Sequence, residues 1–265
     1  MRVDLEGKVA MVTGAAQGIG KSIACKLAQN SATVILTDID DSRLQQTTEE
    51  LNCRFSSHCQ LLRMDVTKPE EIEASINRIL TDFGKLDILV NNAGVNTLDH
   101  RVNIDQFPHS EWQRILDVDL TGVFNVSRLA SRPMIKQKEG RIVNIASIAG
   151  LVPLRLQCVF TAAKAGVINL TKSMAIELGS SGILVNGVAP GSVLTEGTKK
   201  LFYSSDAKFH ESQKSLLSHI PLGRPAEIEE IAHTVLFLVA PESSYVNGHI
   251  LVVDGGWTAG YLREF

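Results

Sequence analysis

Short runs of consecutive apolar residues alternate along the chain with longer segments in which apolar side chains recur at helical spacing. Gly, Asp, Asn or Pro stands at most of the junctions, as is typical where one element ends and the next begins. The continuous apolar character of the short runs predicts strands that are buried on both faces, as in a parallel sheet. The predicted strands are Lys8–Thr13, Thr33–Thr37, Gln60–Met64, Leu86–Val90, Arg141–Ile145, Leu184–Val188 and His249–Val253.

The intervening segments predict helices that connect parallel strands. One helix is predicted at the sequence Thr67-Lys-Pro-Glu70, where Thr67 caps the helix, Pro69 suits its first turn and Glu70 completes a capping box. Another is predicted to begin after Ser110. Because crossovers between parallel strands are right-handed, the predicted fold class is α/β. We expect a single-domain, Rossmann-like, doubly wound parallel sheet of about seven strands flanked by helices, spanning residues 1–265.

Two segments fall outside this alternation. Residues 192–221 form a longer and more polar connection than the others, and we expect them to act as a substrate loop, with a plain surface excursion as the alternative. Residues 257–265 follow the last predicted strand as a C-terminal tail, which either reaches a neighbouring subunit or frays.

Composition narrows the classes of partner. Hydrophobic residues make up 44% of the 265 residues and charged residues 21%, as in an ordinary globular protein. The net charge of −3 is spread along the chain, which argues against binding to nucleic acid or to an anionic membrane surface. We therefore expect small molecules and copies of the chain itself as partners.

No leader, membrane span or metal site is expected. The longest apolar runs fall short of the roughly 18 residues of a spanning helix, and the polar start is unlike a signal peptide, so a cytoplasmic protein is expected. The seven histidines lack the spacing of metal ligands, and no C-x-x-C pair occurs among the cysteines, which are Cys25, Cys53, Cys59 and Cys158.

A glycine-rich stretch, Thr13-Gly-Ala-Ala-Gln-Gly-Ile-Gly20, follows the first predicted strand and opens the first predicted helix. Glycine at 14, 18 and 20 permits a tight turn and a close approach of a pyrophosphate to the helix N-terminus, which is typical of dinucleotide binding.

Asp38 follows the second strand, 24 residues after Gly14, near the spacing of an acidic residue that binds the adenosine ribose hydroxyls. Its charge would repel a 2′-phosphate, and positions 37–40 hold no Arg or Lys, so NAD is predicted in preference to NADP. The alternative is that Asp38 only caps the next turn, although Asp40 and Asp41 serve that purpose equally well.

Further motifs follow the later strands: Asp65-Val66, Asn91-Asn-Ala-Gly94, Ser147, Lys164 and Pro190-Gly191. With the glycine-rich stretch, they make the chain similar to the short-chain dehydrogenase/reductase family from Leu5 to about Gly256. The resemblance implies an NAD-dependent oxidoreductase and a homotetramer, with Asn91 bracing the sheet. The residues that it implies for cofactor binding are Gly14, Gln17, Gly18, Ile19, Gly20, Asp38, Asp65, Val66, Asn92, Gly94, Lys164, Pro190, Gly191, Val193 and Thr195. Of these, the resemblance places Asp65 and Val66 at the adenine, and Pro190, Gly191, Val193 and Thr195 beside the nicotinamide.

The chain departs from the family pattern at two catalytic positions. Where the family has Tyr-x-x-x-Lys, this sequence has Phe160-Thr-Ala-Ala-Lys164, and where the family has Asn-x-x-Gly, it has Asp119-Leu-Thr-Gly122. The resemblance implies that the tyrosine transfers the alcohol proton, that the lysine lowers the phenol pKa and holds the ribose, and that Ser147 orients the substrate oxygen. Asp119 either occupies a polar helix kink or acts electrostatically on Lys164.

Phe160 retains the aromatic ring but cannot donate or accept a proton, so we expect a rate loss of about 10² to 10⁴ with cofactor and substrate binding retained. Three explanations stay open. The first and favoured one is an engineered Tyr-to-Phe variant of a working dehydrogenase. The second is a pseudoenzyme that binds NAD as a sensor or structural partner. The third is an enzyme with another proton donor, such as Ser147, Asp119 or water.

The predicted reaction interconverts a secondary alcohol and a ketone, with a polyol, sugar or hydroxy acid as substrate. A β-ketoacyl thioester reductase is the alternative, which the NAD-type Asp38 disfavours. Segment 151–158 and the long loop are expected to frame the pocket. The substrate-side candidates are Asn96, Ser147, Arg155 and Gln157, with basic loop groups at Lys199, Lys200, Lys208, His210 and Lys214.

Overall fold

A computed structural model describes residues 1–55, 59–97, 100–196, 198 and 217–260. Within them, seven strands form one parallel sheet in the spatial order β3-β2-β1-β4-β5-β6-β7, which confirms the predicted doubly wound α/β fold. Each predicted strand is present, with ends that differ by at most two residues. The strands are β1 Val9–Thr13, β2 Thr33–Asp38, β3 Cys59–Arg63, β4 Ile88–Asn91, β5 Gly140–Ile145, β6 Ile183–Pro190 and β7 Ile250–Val253.

Helices cover both faces of this sheet. Alternate residues of β1 enter different hydrophobic clusters, since Ala10 and Val12 pack with one and Val9 and Met11 with the other. The first cluster includes side chains of α1, α2 and α7, and the second includes α3, α5 and α6. These helices are α1 Gly18–Gln29, α2 Asp41–Arg54, α3 Pro69–Phe83, α4 His109–Leu116, α5 Val123–Gln137, α6 Cys158–Gly179 and α7 Ile228–Val239.

The predicted start of α3 is partly wrong. Pro69 lies in the first turn as expected, but the N-cap residue is Lys68 and no side chain caps the helix. The Thr67 backbone N–H and hydroxyl instead donate to Oδ1 of Asp65 at 2.9 and 2.8 Å. Thr67 therefore binds a carboxylate two residues away and does not cap the N-terminus of α3. Glu71, not Glu70, accepts the N–H of Asp65.

The helix that was predicted to begin after Ser110 begins at His109. Pro108 is extended, and its carbonyl already accepts the N–H of Trp112 at 3.0 Å, so the first turn closes earlier than the side-chain pattern indicates. A π-helical turn, Asp117–Gly122, connects α4 to α5.

The long connection 192–221 and the C-terminal tail are described only at their ends. The five basic loop residues and residues 261–265 lie outside the described residues. No helix in the described ranges is long and apolar enough to cross a membrane. The same ranges contain no group of three or more His, Cys, Asp or Glu side chains that could hold a metal ion.

Candidate active site

The glycine-rich stretch lies at the carboxyl edge of the sheet, between the end of β1 and the start of α1. Here the strand order reverses between β1 and β4, which is where ligands bind in open α/β sheets. Gly14 has a φ of +63°, and a Cβ added to it would lie 2.8 Å from the Ala93 Cα. A Cβ on Gly20 would lie 2.1 Å from the Gly14 carbonyl oxygen. Only glycine therefore allows this loop to pack.

A side chain that the sequence analysis missed anchors the loop to the neighbouring strand. The Thr13 hydroxyl oxygen accepts the N–H groups of Asn92 and Ala93, each at 3.0 Å. The Asn92 side-chain amide in turn donates to the carbonyls of Thr13 and Gly14, each at 2.9 Å. Asn92, a predicted cofactor residue, thus also fixes the shape of the loop. A threonine at the last position of β1 was the available signal for Thr13.

Asp38 ends β2 beside the same loop. Its Oδ2 accepts the N–H of Ala16 at 3.0 Å, and its Oδ1 accepts the N–H of Asp40 at 3.1 Å. The N-cap of α2 is Asp40, which accepts the N–H of Arg43, whereas Asp38 closes the turn before this helix by accepting the Asp40 N–H. Each Asp38 oxygen retains a further lone pair, and the carboxylate is only half-buried, so it is available to hydroxyl donors.

Asp65 and Val66 follow β3 at the same edge. The Asp65 carboxylate is engaged by Thr67. Val66 is buried, and a Cβ added to Gly122 would lie 2.8 Å from its Cγ2, so Val66 packs directly on the π-helical turn. This contact links the predicted adenine side of the site to the element that holds Asp119.

The segment after β6 begins at Gly191, which packs closely on the chain that follows β7. Gly191 donates its N–H to the Val253 carbonyl, and a Cβ on Gly191 would lie 2.9 Å from the Asp254 Cα. The Thr198 hydroxyl donates to the Val193 carbonyl at 2.6 Å and accepts the N–H of Thr195 at 2.7 Å. Thr198 therefore organises the positions that were predicted to flank the nicotinamide, a role that the sequence analysis missed.

The proposed catalytic side chains come from α6 and from the turn after β5. Ser147 lies two residues after the end of β5, and its hydroxyl oxygen accepts the N–H of Ala149 at 3.1 Å. Lys164 is buried in α6, where its ammonium donates to the Ile145 carbonyl at 3.3 Å and lies 5.6 Å from the centroid of the Phe160 ring. Ser147 accepts through its oxygen, so its proton is free to point at a ligand.

Gly150 brings these two elements together. A Cβ on this residue would lie 2.6 Å from the carbonyl carbon of Lys164, so the turn that follows Ser147 packs on the backbone of α6.

Replacing Gly150 by Ala is expected to lower the free energy of unfolding by about 1–3 kcal/mol, because backbone atoms of α6 must move to admit the methyl group. Urea unfolding measures the change. Gly260→Ala is the matched control, since a Cβ there has no neighbour within 4 Å, and its effect should stay within about 0.5 kcal/mol. Equal effects of the two substitutions would contradict the close packing at Gly150.

Asp119 lies in the π-helical turn, and its side chain is fully buried. Oδ1 accepts the N–H of Val95 at 2.7 Å, while Oδ2 lies 3.1 Å from the Lys164 ammonium. A Cβ on Gly94 would lie 3.2 Å from Oδ2, a close contact that any other residue at this position would impose. The two alternatives for Asp119 are therefore compatible: it occupies a helix irregularity, of a type frequent at functional sites, and it pairs with Lys164.

The substrate-side candidates lie in two segments. Asn96 is held by Thr97 through its side chain and by Arg114 through its carbonyl, at 2.7 and 3.3 Å. Arg155 is exposed, and Gln157 is the N-cap of α6. Between them, Leu156 has a φ of +63°, which is strained for a leucine and fixes the entry of the chain into α6.

Comparison with known proteins agrees with this geometry. A family model described as enoyl-(acyl carrier protein) reductase matches residues 14–258. The 3-oxoacyl-(acyl-carrier-protein) reductase FabG of Vibrio cholerae is 42% identical over 254 residues, which cover 96% of this chain and 98% of that protein. The 2-dehydro-3-deoxy-D-gluconate 5-dehydrogenase of Bacillus subtilis is 41% identical over 255 residues, with 96% and 95% covered.

The solved structures agree as well. The crystal structure of gox2181 superposes with a TM-score of 0.91 at 31% identity and covers 97% of this chain and 98% of its own. Sequence relatives, sheet order and the glycine-rich loop thus point to one family of oxidoreductases that use nicotinamide cofactors. The chain belongs to the short-chain dehydrogenase/reductase family.

Proposed function

We propose that this chain is an NAD(H)-binding dehydrogenase/reductase for a secondary alcohol and its ketone, with its proton-donor position filled by Phe160. The observation that carries the proposal is the packing of the Ser147 turn against α6 at Lys164. It brings an available hydroxyl and a buried ammonium to the edge of the sheet that also holds the glycine-rich loop and Asp38.

The residues at this edge fit a dinucleotide. Gly18 has a φ of +57°, and a Cβ added to it would lie 3.9 Å from Thr195 Cγ2, so the loop lies next to the segment after β6. Gly14, Gly18 and Gly20 would hold the pyrophosphate against the N-terminus of α1. Asp38 would accept hydrogen bonds from the adenosine ribose, and Lys164 would donate to the nicotinamide ribose. When bound, the nicotinamide supplies or takes the hydride.

The side chains at this site can orient the substrate, but none at position 160 can donate a proton to it. Ser147 donates to the substrate oxygen, because its own oxygen is already engaged by Ala149. Phe160 fills the ring slot beside the Lys164 ammonium but offers no proton. The proposed outcome is a site that binds both ligands and transfers hydride slowly.

The three explanations of Phe160 carry different weight in this site. Asp119 is a poor proton donor, because its oxygens are occupied by Val95 and faced by Lys164 inside the protein. The retained Ser147, Lys164 and Asp38 favour a working dehydrogenase that carries an engineered Tyr-to-Phe exchange over a pseudoenzyme. We retain the pseudoenzyme as the second candidate function.

For the substrate, we propose a polyol, sugar or hydroxy acid, in line with the name of the relative that acts on 2-dehydro-3-deoxy-D-gluconate. The FabG relatives support the alternative, a 3-oxoacyl thioester. Arg155 is exposed just before the start of α6, where its guanidinium could bind the carboxylate of a hydroxy acid. We further propose a homotetramer, which the family resemblance implies.

NADH is expected to bind at least about tenfold more tightly than NADPH, because the Asp38 carboxylate would face the like charge of a 2′-phosphate. Nicotinamide fluorescence titration measures both dissociation constants without requiring turnover. The preference should shrink in 1 M NaCl, where the Debye length falls to about 3 Å. Equal affinity for the two dinucleotides, or tighter binding of NADPH, would contradict the proposed cofactor.

A further inference from the structure

A groove between α3 and α5 encloses a cavity of about 430 Å³ outside the candidate active site. α5 begins directly after the π-helical turn that holds Asp119, and the groove lies along the half of α5 farthest from that turn. The floor of the groove is apolar, since Ile76 and Leu129 are buried and Leu80 is partly buried. From Ile76 to Gly84 it runs along α3 for about 12 Å, a length that suits a chain of roughly eight carbons.

Polar contacts fasten the two helices on either side of this cavity. The Gln137 side chain, at the end of α5, accepts the Leu86 N–H at 3.1 Å and donates to the Leu86 carbonyl at 3.0 Å. Toward the other end, the Arg132 guanidinium of α5 reaches across to Glu73 of α3 at 3.9 Å. The groove is therefore a preformed concave site, of the kind that takes small ligands.

The rim of the groove carries more positive than negative charge. Lys136 is exposed and forms no salt bridge with a residue that the structure describes. Arg132 and Glu73 are each more than half exposed, and their pair is long, so it contributes little and opens at little cost. Two cations and one carboxylate above an apolar floor favour a ligand with an apolar body and an anionic end.

Pro133 adds an independent feature to the wall of the groove. It lies inside α5 and has no N–H, so the Leu129 carbonyl lacks the donor that the helix would otherwise supply. Both residues line the cavity, which therefore has a backbone acceptor that favours an N–H or O–H donor. Long side chains on a helix lean toward its N-terminus, which favours placement of the Lys136 ammonium over the turn of Pro133.

We propose that the groove between α3 and α5 is an accessory binding site for a medium-chain carboxylic acid that carries an N–H or O–H donor near its carboxylate. The chain of the acid lies on Ile76 and Leu80, the carboxylate faces Lys136, and the donor serves the Leu129 carbonyl. This inference goes beyond the proposed function and does not depend on it. None of its residues belongs to the edge of the sheet that holds the glycine-rich loop and Ser147.

The first test compares three ligands by ligand-observed NMR titration of the unmodified chain, with and without NADH. N-octanoylglycine has the tail, the amide N–H and the carboxylate, and we expect a dissociation constant of about 1 mM or lower. N-octanoylsarcosine lacks the N–H, and N-octanoylglycinamide lacks the charge. Each should bind at least about threefold more weakly than N-octanoylglycine. NADH should not displace N-octanoylglycine.

The second test places the ligand in the groove. Asn77 is exposed on the α3 wall, so Asn77→Trp should fold, which circular dichroism checks, and should weaken N-octanoylglycine binding at least about tenfold by filling the cavity. Lys136→Gln should weaken it about threefold. Lys172→Gln is the matched control, an exposed lysine of α6 outside the groove, and should change binding by less than about twofold.

Several outcomes would overturn this inference while leaving the proposed function intact. The first is the absence of saturable binding to the unmodified chain, as when a second copy covers the groove. Displacement of N-octanoylglycine by NADH would assign the ligand to the candidate active site instead. Unchanged binding to Asn77→Trp, or equal effects of Lys136→Gln and Lys172→Gln, would place the ligand elsewhere on the chain. Equal affinity for all three ligands would remove the roles of the Leu129 carbonyl and the Lys136 ammonium.

Discussion

Phe160→Tyr is expected to raise the rate of NAD⁺-dependent alcohol oxidation by about 10² or more. A tyrosine ring occupies nearly the volume of phenylalanine, so the change adds a hydroxyl without rebuilding the site. The ring already lies 5.6 Å from the Lys164 ammonium, which favours the phenolate electrostatically. The measurement is NADH formation at 340 nm with a panel of polyols, sugars, hydroxy acids and secondary alcohols. Reduction of a 3-oxoacyl thioester covers the alternative substrate class.

A second Phe-to-Tyr exchange provides the control for this experiment. Phe124 lies in α5 and is 47% exposed, so Phe124→Tyr adds the same hydroxyl without access to the proposed site. Its rate should equal that of the unmodified chain. NADH binding should be similar in all three proteins, because position 160 is not among the residues that we propose to bind the cofactor.

The possible results separate the three explanations of Phe160. A gain confined to Phe160→Tyr supports a dehydrogenase that lacks only its general acid. If the unmodified chain and Phe160→Tyr are both inactive while NADH still binds, the sensor or structural partner is favoured. If the unmodified chain is as active as Phe160→Tyr, another proton donor is required, and the available Ser147 proton is the first candidate.

The sheet was predictable because its five inner strands are buried on both faces, whereas the edge strands β3 and β7 are only partly buried. All five residues of β1 are buried, and such a strand is a short apolar run that needs no partner to be recognised. The glycine-rich loop was predictable for a similar local reason, since the positive φ angles at Gly14 and Gly18 favour glycine, which the sequence shows directly.

The contacts that join distant segments were not predictable in this way. Thr13 acts through a hydroxyl whose partners on another strand are set by how the strands pack. Arg43 reaches Gln17 only because α2 folds back over the loop.

The predicted Thr67 cap is wrong for a local reason. Several polar groups within a few residues compete for the same donors, and sequence spacing does not rank them.

The pairing of Asp119 with Lys164 is another contact between residues that lie far apart in the sequence. We expect it to contribute more to the free energy of unfolding than the hydrogen bonds described above. The residues are 45 positions apart, and the contact requires the π-helical turn to direct the carboxylate inward. Among the described residues, Oδ2 has no hydrogen-bond donor of good geometry and is compensated by the Lys164 charge at 3.1 Å. Burial of the Asp119 carboxylate therefore depends on the Lys164 ammonium, and burial of the ammonium depends on the carboxylate.

Asp119→Ala is accordingly expected to lower the free energy of unfolding by about 3–5 kcal/mol, because it leaves the Lys164 ammonium buried beside an unfilled space. Lys164→Met should have a cost of similar size, since it leaves the carboxylate uncompensated. Asp119→Asn is the conservative control: it keeps an acceptor for the Val95 N–H and nearly the same volume, so it should cost clearly less than Asp119→Ala. Urea unfolding of each variant, with circular dichroism as a check on the fold, measures these values.

The double variant Asp119→Ala/Lys164→Met decides whether the two charges act as a pair. Removing both leaves no uncompensated charge, so its cost should fall below the sum of the single costs by at least about 1 kcal/mol. Additive costs would mean that each residue stabilises the fold through other contacts, Asp119 through Val95 and Lys164 through the Ile145 carbonyl. A positive coupling would instead identify the ion pair as the element that holds the Lys164 ammonium in place beside position 160, whichever ring that position carries.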